Sequence, residues 1–176
     1  MNGCDKTMSS NVENLVNESK KGNVSAFGEL YEMYSADMFR FAWYYTGSKT
    51  VAEDCVSEAV LIAFRRIGEL KNISAFKSWL FRILRNCCAA SFRKASREIS
   101  VEETEQDVHS FDTDSDDKIS LREALLCLSI EEREILILYY CNGYTSKEIS
   151  LMLSLNENTV RSKLSRSTEK LRKELS

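Results

Sequence analysis

No proline interrupts the 176 residues of this chain, and only six of them are glycine. A backbone so poor in helix-breaking residues has few ways to stop a helix, so the expected fold is all-α. Helix starts must then be marked by small polar caps. Three such signatures stand in the sequence, Thr50–Glu53, Ser129–Glu132 and Thr145–Glu148, each a hydroxyl residue with a glutamate three positions on. The last opens the most informative stretch, Gly143–Leu171, which reads GYTSKEISLMLSLNENTVRSKLSRSTEKL. A short helix is expected from Ser146, with Ile149 and Leu153 on its apolar side. The chain breaks at Ser154-Leu155-Asn156, and Asn156 can cap a second helix. In that helix Val160, Leu164, Thr168 and Leu171 recur every three or four residues and should face inward. The outer side presents Asn158, Arg161, Ser162, Ser165, Arg166 and Glu169, with Thr159 beside them. Two short helices, a tight turn and outward arginines make a helix-turn-helix. The same pattern also describes a solvated helix pair in a bundle.

Net charge at neutral pH is only −3, so the whole chain carries no electrostatic signature of nucleic-acid binding. Its distribution does. Between Phe76 and Arg97 stand Lys77, Arg82, Arg85, Arg93, Lys94 and Arg97 with no acid, and from Glu157 onward six bases face three acids. Between these segments, Glu98 to Lys118 holds nine acids against one lysine. Two basic segments on either side of an acidic connector point to two separate contacts with an anion. The acidic segment has too few apolar side chains to fold alone and is expected to be a flexible linker.

The expected organisation is a tail at 1–22, a first domain at 23–96, the linker at 97–118 and a second domain at 119–176. The tail leads into a short helix over Val12–Lys20. From Val24 to Tyr45 a stripe of Phe27, Tyr31, Tyr34, Met38, Phe41 and Tyr45 predicts a long helix ending near Gly47. The next helix, from Thr50 to Gly68, turns Val56, Val60, Ala63, Phe64 and Ile67 to the core. Its second face, Asp54, Ser57, Glu58, Leu61 and Arg65, reads either as an ordinary solvated surface or as a docking face for a basic, partly apolar partner helix. Ser74 can cap the helix from Ala75 to Lys94, whose core stripe is Phe76, Leu80, Ile83, Leu84 and Cys87. On its remaining surface Arg82, Arg85, Asn86 and Arg93 are interleaved with Phe81 and Phe92. Basic groups neutralise phosphate and aromatic faces accept unstacked bases, so this is a composition for opened or single-stranded nucleic acid, with a basic solvated face as the alternative.

Other classes are set aside on positive grounds. No apolar run approaches the ~18 residues of a membrane span. The N-terminus lacks the basic-then-apolar order of an export signal, so a cytoplasmic protein is expected. The six cysteines form no CxxC pair and the lone histidine is His109. No metal or cofactor is therefore expected, and the adjacent Cys87 and Cys88 read as packing residues, with redox sensing as the alternative. With no P-loop, no GxGxxG and no Ser-His-Asp set, an enzyme is not expected.

Three segments in register resemble a known family. AEDCVSEAVLIAF at Ala52–Phe64, AFKSWLFRILRN at Ala75–Asn86, and the GYTSKEIS…NTVRSKLSRSTEKLRKEL tail are similar to the sigma-70 family. More narrowly, they resemble the two-domain extracytoplasmic-function (ECF) sigma factors of bacterial RNA polymerase, over about residues 23–96 and 119–175. The resemblance implies that the first domain is sigma domain 2. It places Asp54, Ser57, Glu58 and Leu61 against a coiled coil on the largest polymerase subunit. It gives the Ala75–Lys94 helix and the loop before it the minus-ten element, opened and with one base flipped out. Asn86 then matches a pocket-lining asparagine, Trp79 a structural tryptophan, and Lys71 and Asn72 a variable loop that sets base preference. The tail resembles sigma domain 4, whose recognition helix reads the minus-thirty-five element with Arg161, Ser162, Ser165 and Arg166. The sequence departs from the family pattern at Ser57, Ala59-Val60, Ala90, Ser150 and Ser154, the last standing where a turn glycine is usual. The implied function is promoter recognition, DNA opening and transcription initiation on core polymerase. The implied partners are polymerase core, promoter DNA and an anti-sigma factor. A monomeric free protein is expected on a separate ground, that no apolar surface beyond the domain cores stands out. The alternative is a stand-alone helix-turn-helix regulator.

Overall fold

The computed structural model describes residues 4–99, 121 and 123–175. Every element among them is helical. The chain runs α1 (Cys4–Lys20), α2 (Val24–Thr46), α3 (Lys49–Arg66), two 3₁₀ turns (Ile67–Glu69 and Ile73–Ala75) and α4 (Phe76–Ile99). It resumes with a helical turn, α5 (residues 123–126), then α6 (Ile130–Leu136), a π-turn (Ile137–Cys141), α7 (Ser146–Leu153) and α8 (Glu157–Glu174). The expected linker therefore begins within α4, whose backbone is helical through Ile99, and its remainder lies outside the described residues.

The first unit packs α1–α4 around aromatic side chains. Asn23 caps α2, its Oδ1 accepting from the Ala26 amide at 3.2 Å, and Gly47 ends the helix in the left-handed region. Met38, Phe41, Ala42 and Tyr45 form the buried side of α2. The N-terminal segment is more than a tail. Leu15 and Val16 are buried against the bundle, Val12 packs beside them, and Lys20 Nζ donates to the Leu70 carbonyl at 2.8 Å. Positions 12, 15, 16 and 19 are one helical stripe, and packing it removes apolar surface that an isolated helix would leave in water.

Three local expectations are corrected. The cap of α3 is Ser48, whose Oγ accepts from the Val51 amide at 3.4 Å, and Thr50 lies inside the helix. Phe64 is 41% exposed, held edge-on to Phe27 at a centroid distance of 5.1 Å, while Ala52, Cys55 and Ala59 are the buried contacts of that side. Small residues on that side let α3 approach its neighbours closely. Before α4, Asn72 takes the capping role expected of Ser74: its Oδ1 accepts from the Ser74 amide at 3.2 Å and hydroxyl at 2.8 Å.

The second unit is closed by the two capping boxes read from the sequence, Ser129–Glu132 on α6 and Thr145–Glu148 on α7, both fully formed. Gly143 sits at φ 72° and ends the π-turn, as a residue without Cβ can. Between α5, α6 and α8 an apolar groove is lined by Leu121, Leu125, Leu136, Tyr140, Leu171 and Leu175. No apolar surface beyond the cores was expected from the sequence.

The two units share one hydrophobic cluster, which a pair of domains on a tether need not do. Phe81 of α4 is the bridge. It meets Phe41 edge-on at 6.0 Å on one side and Tyr144 at 5.3 Å on the other. The Tyr144 hydroxyl donates to Asp37 Oδ2 at 3.0 Å, Asn142 Nδ2 to the Asp37 carbonyl at 2.8 Å, and Arg40 to the Cys141 carbonyl at 2.7 Å.

Candidate nucleic-acid interface

The helix-turn-helix is built by α7, a three-residue turn and α8. Ser154 makes the turn at φ 57°, ψ 41°, the one non-glycine residue with positive φ among those described. A serine there costs roughly 1 kcal/mol relative to glycine. Asn156 then caps α8, its side chain accepting from the Asn158 amide at 2.9 Å. Val160 is fully buried, while Leu164, Thr168 and Leu171 are half-buried. Ser167, which the apolar pattern passed over, is fully buried and satisfies its hydroxyl on the Lys163 carbonyl at 2.7 Å.

That anchoring leaves Asn158, Arg161, Ser162, Ser165 and Arg166 exposed together along one side of α8, with Thr159 half-buried at its edge. Arg161 Nη2 lies 2.6 Å from Glu157 Oε1 one turn back, and Arg166 Nε 3.3 Å from the Ser162 carbonyl. Exposed pairs of this kind are worth about 0.3–0.5 kcal/mol, so they orient the guanidinium groups and release them readily. Such a row can donate to base edges in a major groove, where an arginine fork matches guanine O6 and N7. The sequence reading missed its neighbours: Tyr139 and Tyr140 stand exposed on the π-turn and share a shallow cleft with Arg161 and Ser165. Consecutive tyrosines in a helical pattern put only one on the core side, which was the available signal.

The second expected surface is divided by the structure. Lys71 and Asn72 in the loop, and Asn86 and Arg93 on α4, are exposed, with Arg82, Asn86 and Arg93 on one helical side. Arg85 is not free for a strand: its Nε lies 2.7 Å from Glu134 Oε1 on α6, and that carboxylate is wholly buried. Arg82 Nη2 comes to 3.5 Å from the Leu151 carbonyl of α7. Phe81, expected as a stacking surface, is core, and Phe92 lies at the edge of exposure with the Arg133 guanidinium 5.6 Å from its ring centre. Periodicity assigns one apolar stripe of α4 to a core. It could not reveal that a second neighbour would cover Phe81.

On α3, Asp54, Ser57, Glu58, Leu61 and Arg65 are all exposed and form one stripe, with Leu61 at 56% of full exposure. An apolar centre ringed by acids and a hydroxyl is a surface that a basic amphipathic helix can cover. Beneath it, Cys55, Cys87 and Cys88 are buried between α3 and α4. The Cys88 thiol donates to Cys55, which lowers Cys55 below the usual thiol range and raises Cys88, and burial pushes Cys87 up to about 11.

Residues 30–98 match the family Sigma-70 region 2, and residues 118–171 match Sigma-70, region 4. The chain is 30% identical to the ECF RNA polymerase sigma factor SigL of Mycobacterium tuberculosis, over 81% of this chain and 85% of that one. It is 29% identical to the ECF RNA polymerase sigma factor BldN of Streptomyces coelicolor, over 87% of this chain, and spans 61% of that relative's length. Among solved structures, the sigma factor RpoE of Bartonella quintana, in complex with the anti-sigma factor NepR, superposes with a TM-score of 0.72 at 26% identity. That superposition covers 86% of this chain and 98% of RpoE. CnrH, in complex with the cytosolic domain of CnrY, has the same fold, with a TM-score of 0.72 at 22% identity over 92% of this chain and 95% of CnrH.

Proposed function

Because the chain belongs to the ECF group of the sigma-70 family, we propose that it is a promoter-specificity subunit. It binds core RNA polymerase, selects a promoter and supports opening of the DNA for initiation. One observation carries the reading: a helix-turn-helix with an exposed Arg161–Arg166 row shares the chain with an exposed acidic-apolar stripe on α3, in the order of the two matched family regions. The domain limits follow the same reading, with residues 23–96 as the polymerase and opened-strand domain and 119–176 as the duplex-reading domain, joined through 97–118.

In this mechanism Asp54, Ser57, Glu58 and Leu61 dock on a coiled coil of the largest polymerase subunit. Asn158, Thr159, Arg161, Ser162, Ser165 and Arg166 read the upstream element in the major groove, each well-made arginine–guanine pair being worth about 1–3 kcal/mol. Lys71, Asn72, Arg82, Asn86 and Arg93 hold the opened downstream strand, and Arg85, paired with the buried Glu134, is left out of that set. Holding a flipped base offsets an unstacking cost of a few kcal/mol. The chain does no covalent chemistry in this role, which belongs to the polymerase, and it works in the cytoplasm, where the polymerase is. An anti-sigma factor is the expected negative partner, as NepR is for RpoE in the complex that this chain resembles. The apolar groove between α5, α6 and α8 is a surface that an amphipathic helix of such a partner fits.

The test is run-off transcription from a randomised promoter library, with purified chain added to core polymerase. New, sequence-selected transcripts are expected with the wild-type chain and are lost with Arg161→Ala or Arg166→Ala while folding is retained. Selected transcripts that survive both changes would remove α8 from promoter choice. Sequence-specific duplex binding with no stimulation of core polymerase would mark a stand-alone regulator instead.

A further inference from the structure

The loop between α3 and α4 carries two exposed side chains at its tip, Lys71 and Asn72, and the hydrogen bonds around them decide what they can offer a ligand. Asn72 Oδ1 accepts from the Ser74 amide at 3.2 Å and from the Ser74 hydroxyl at 2.8 Å. Only the oxygen of a side-chain amide can meet a backbone N–H, so this cap also fixes which way the group points. Two bonds fill both lone pairs of that oxygen, which leaves the Nδ2 donors as the part of the side chain that can meet a ligand. The main-chain carbonyl of Asn72 is engaged as well, accepting from the Ala75 amide at 3.1 Å. Lys71 beside it ends in an ammonium, which donates and cannot accept. Both side chains at the tip therefore present donors.

The loop is held in place from its far side by α1. Lys20 Nζ donates to the Leu70 carbonyl at 2.8 Å, directly before the tip, and Leu70 itself is buried. Ile67 in the first 3₁₀ turn is buried, and Ile73 beyond the tip packs against the same core. α1 rests on both 3₁₀ turns. A tip anchored on both sides keeps its amide in one orientation before a strand arrives, so little discrimination is lost to ordering the loop.

An asparagine free to use both ends of its amide reads adenine, accepting from N6 and donating to N7. Asn72 has given the accepting end to its own cap. An N–H aimed at the exocyclic position of an unpaired base meets O6 of guanine or O4 of thymine. At adenine or cytosine it meets an amino group, donor against donor, and both are left unsatisfied. We propose that Asn72 is a specificity-determining residue that selects a keto base, guanine or thymine, in the opened strand, and that Lys20 is the residue that positions it. The inference rests on the reading of the Lys71–Asn72 loop as a contact of the opened strand given above, and adds the class of base that the loop takes.

The test is run-off transcription by the full chain with core polymerase, from a bar-coded library randomised across the opened element, the bar code in each transcript reporting its promoter. With the wild-type chain, one position is expected at which guanine and thymine together exceed adenine and cytosine about tenfold. Asn72→Asp keeps the cap on Ser74 through one carboxylate oxygen and turns the other, an acceptor, outward. It is expected to invert the ratio at that position and at no other, in favour of adenine and cytosine. The ratio is read within one variant, so a general loss of strand affinity to the added charge does not enter it. Lys20→Met keeps the aliphatic stem and drops the bond to Leu70. It is expected to lower the wild-type ratio severalfold, with helix content by circular dichroism unchanged. Lys21→Met, which removes an exposed pair with Glu18 away from the loop, is the control and should match wild type. Base ratios that Asn72→Asp leaves unchanged at every position overturn the assignment of Asn72, and so does a wild-type preference for an amino base at the position that responds. A ratio that Lys20→Met leaves at the wild-type value removes Lys20 from positioning. Each of these results comes with selected transcripts and leaves the promoter reading standing, whereas a wild-type chain that yields none overturns both.

Discussion

Arg133 shows how much one residue can hold together. Its side chain is 2% exposed and donates to the carbonyls of Leu125 at 2.9 Å, Leu126 at 2.9 Å, Leu128 at 3.4 Å and Tyr45 at 2.9 Å. The first three are the end of α5 and the turn after it, and the fourth belongs to α2, so one guanidinium satisfies carbonyls in both units. Burial lowers its pKa, with Tyr45 the chief group acting against that. Arg133→Met leaves those carbonyls unpaired and is expected to lower unfolding free energy by about 3 kcal/mol in urea titrations. Arg133→Lys should recover little of this, since a single ammonium cannot span four acceptors. A methionine variant as stable as wild type would contradict the assignment. Nothing in the sequence announced the role: an arginine in a helix rich in glutamate reads as a solvated residue until its neighbours are known.

At the scale of elements, caps were legible and faces only partly so. The Ser129 and Thr145 boxes formed as spelled, because a cap is decided within four residues. Thr50–Glu53 failed because Ser48, two residues earlier, reached the free amide of Val51 first. On α4 the stripe of Phe76, Leu80, Ile83, Leu84 and Cys87 was read correctly as core, and Phe81 was missed. The exposed α3 stripe carries its own prediction. Glu58→Arg and Leu61→Ser should each abolish association with core polymerase in a pull-down, with stability changed by no more than about 0.5 kcal/mol, as is usual for exposed positions. Retained association in both would move the docking face elsewhere.

For the whole molecule, the two carboxylates of the interface titrate in opposite senses. Burial pushes Glu148 up, but the Thr145 amide, Lys77 and the Thr145 hydroxyl outweigh it and hold it below the usual carboxylate range. Its contribution is therefore fully present above the unfolded value and is lost as pH falls through the lowered folded value. Glu134 is raised by burial, so its contribution is present below the unfolded value and is lost as pH rises through the raised one. Thermal melts by circular dichroism from neutral pH down to about pH 3 should show Glu148→Gln flattening the acid loss of stability and Glu134→Gln steepening it. Parallel curves for both variants would mean that neither carboxylate is coupled to folding.

The sequence by itself determined the all-helical class, the helix-turn-helix and its outward arginines, the α3 stripe and the two basic segments. These follow from periodicities and caps spanning one or two turns of helix. Only the tertiary structure decided that the two units close on each other. Lys77 and Glu148 are 71 residues apart, and Arg85 and Glu134 are 49 apart. Helical spacing says which side of α4 is apolar and which is charged, but it does not say what a charged flank will face. That depended on the docking of Tyr144 against Phe81, a contact between two residues that each looked like part of a separate local pattern.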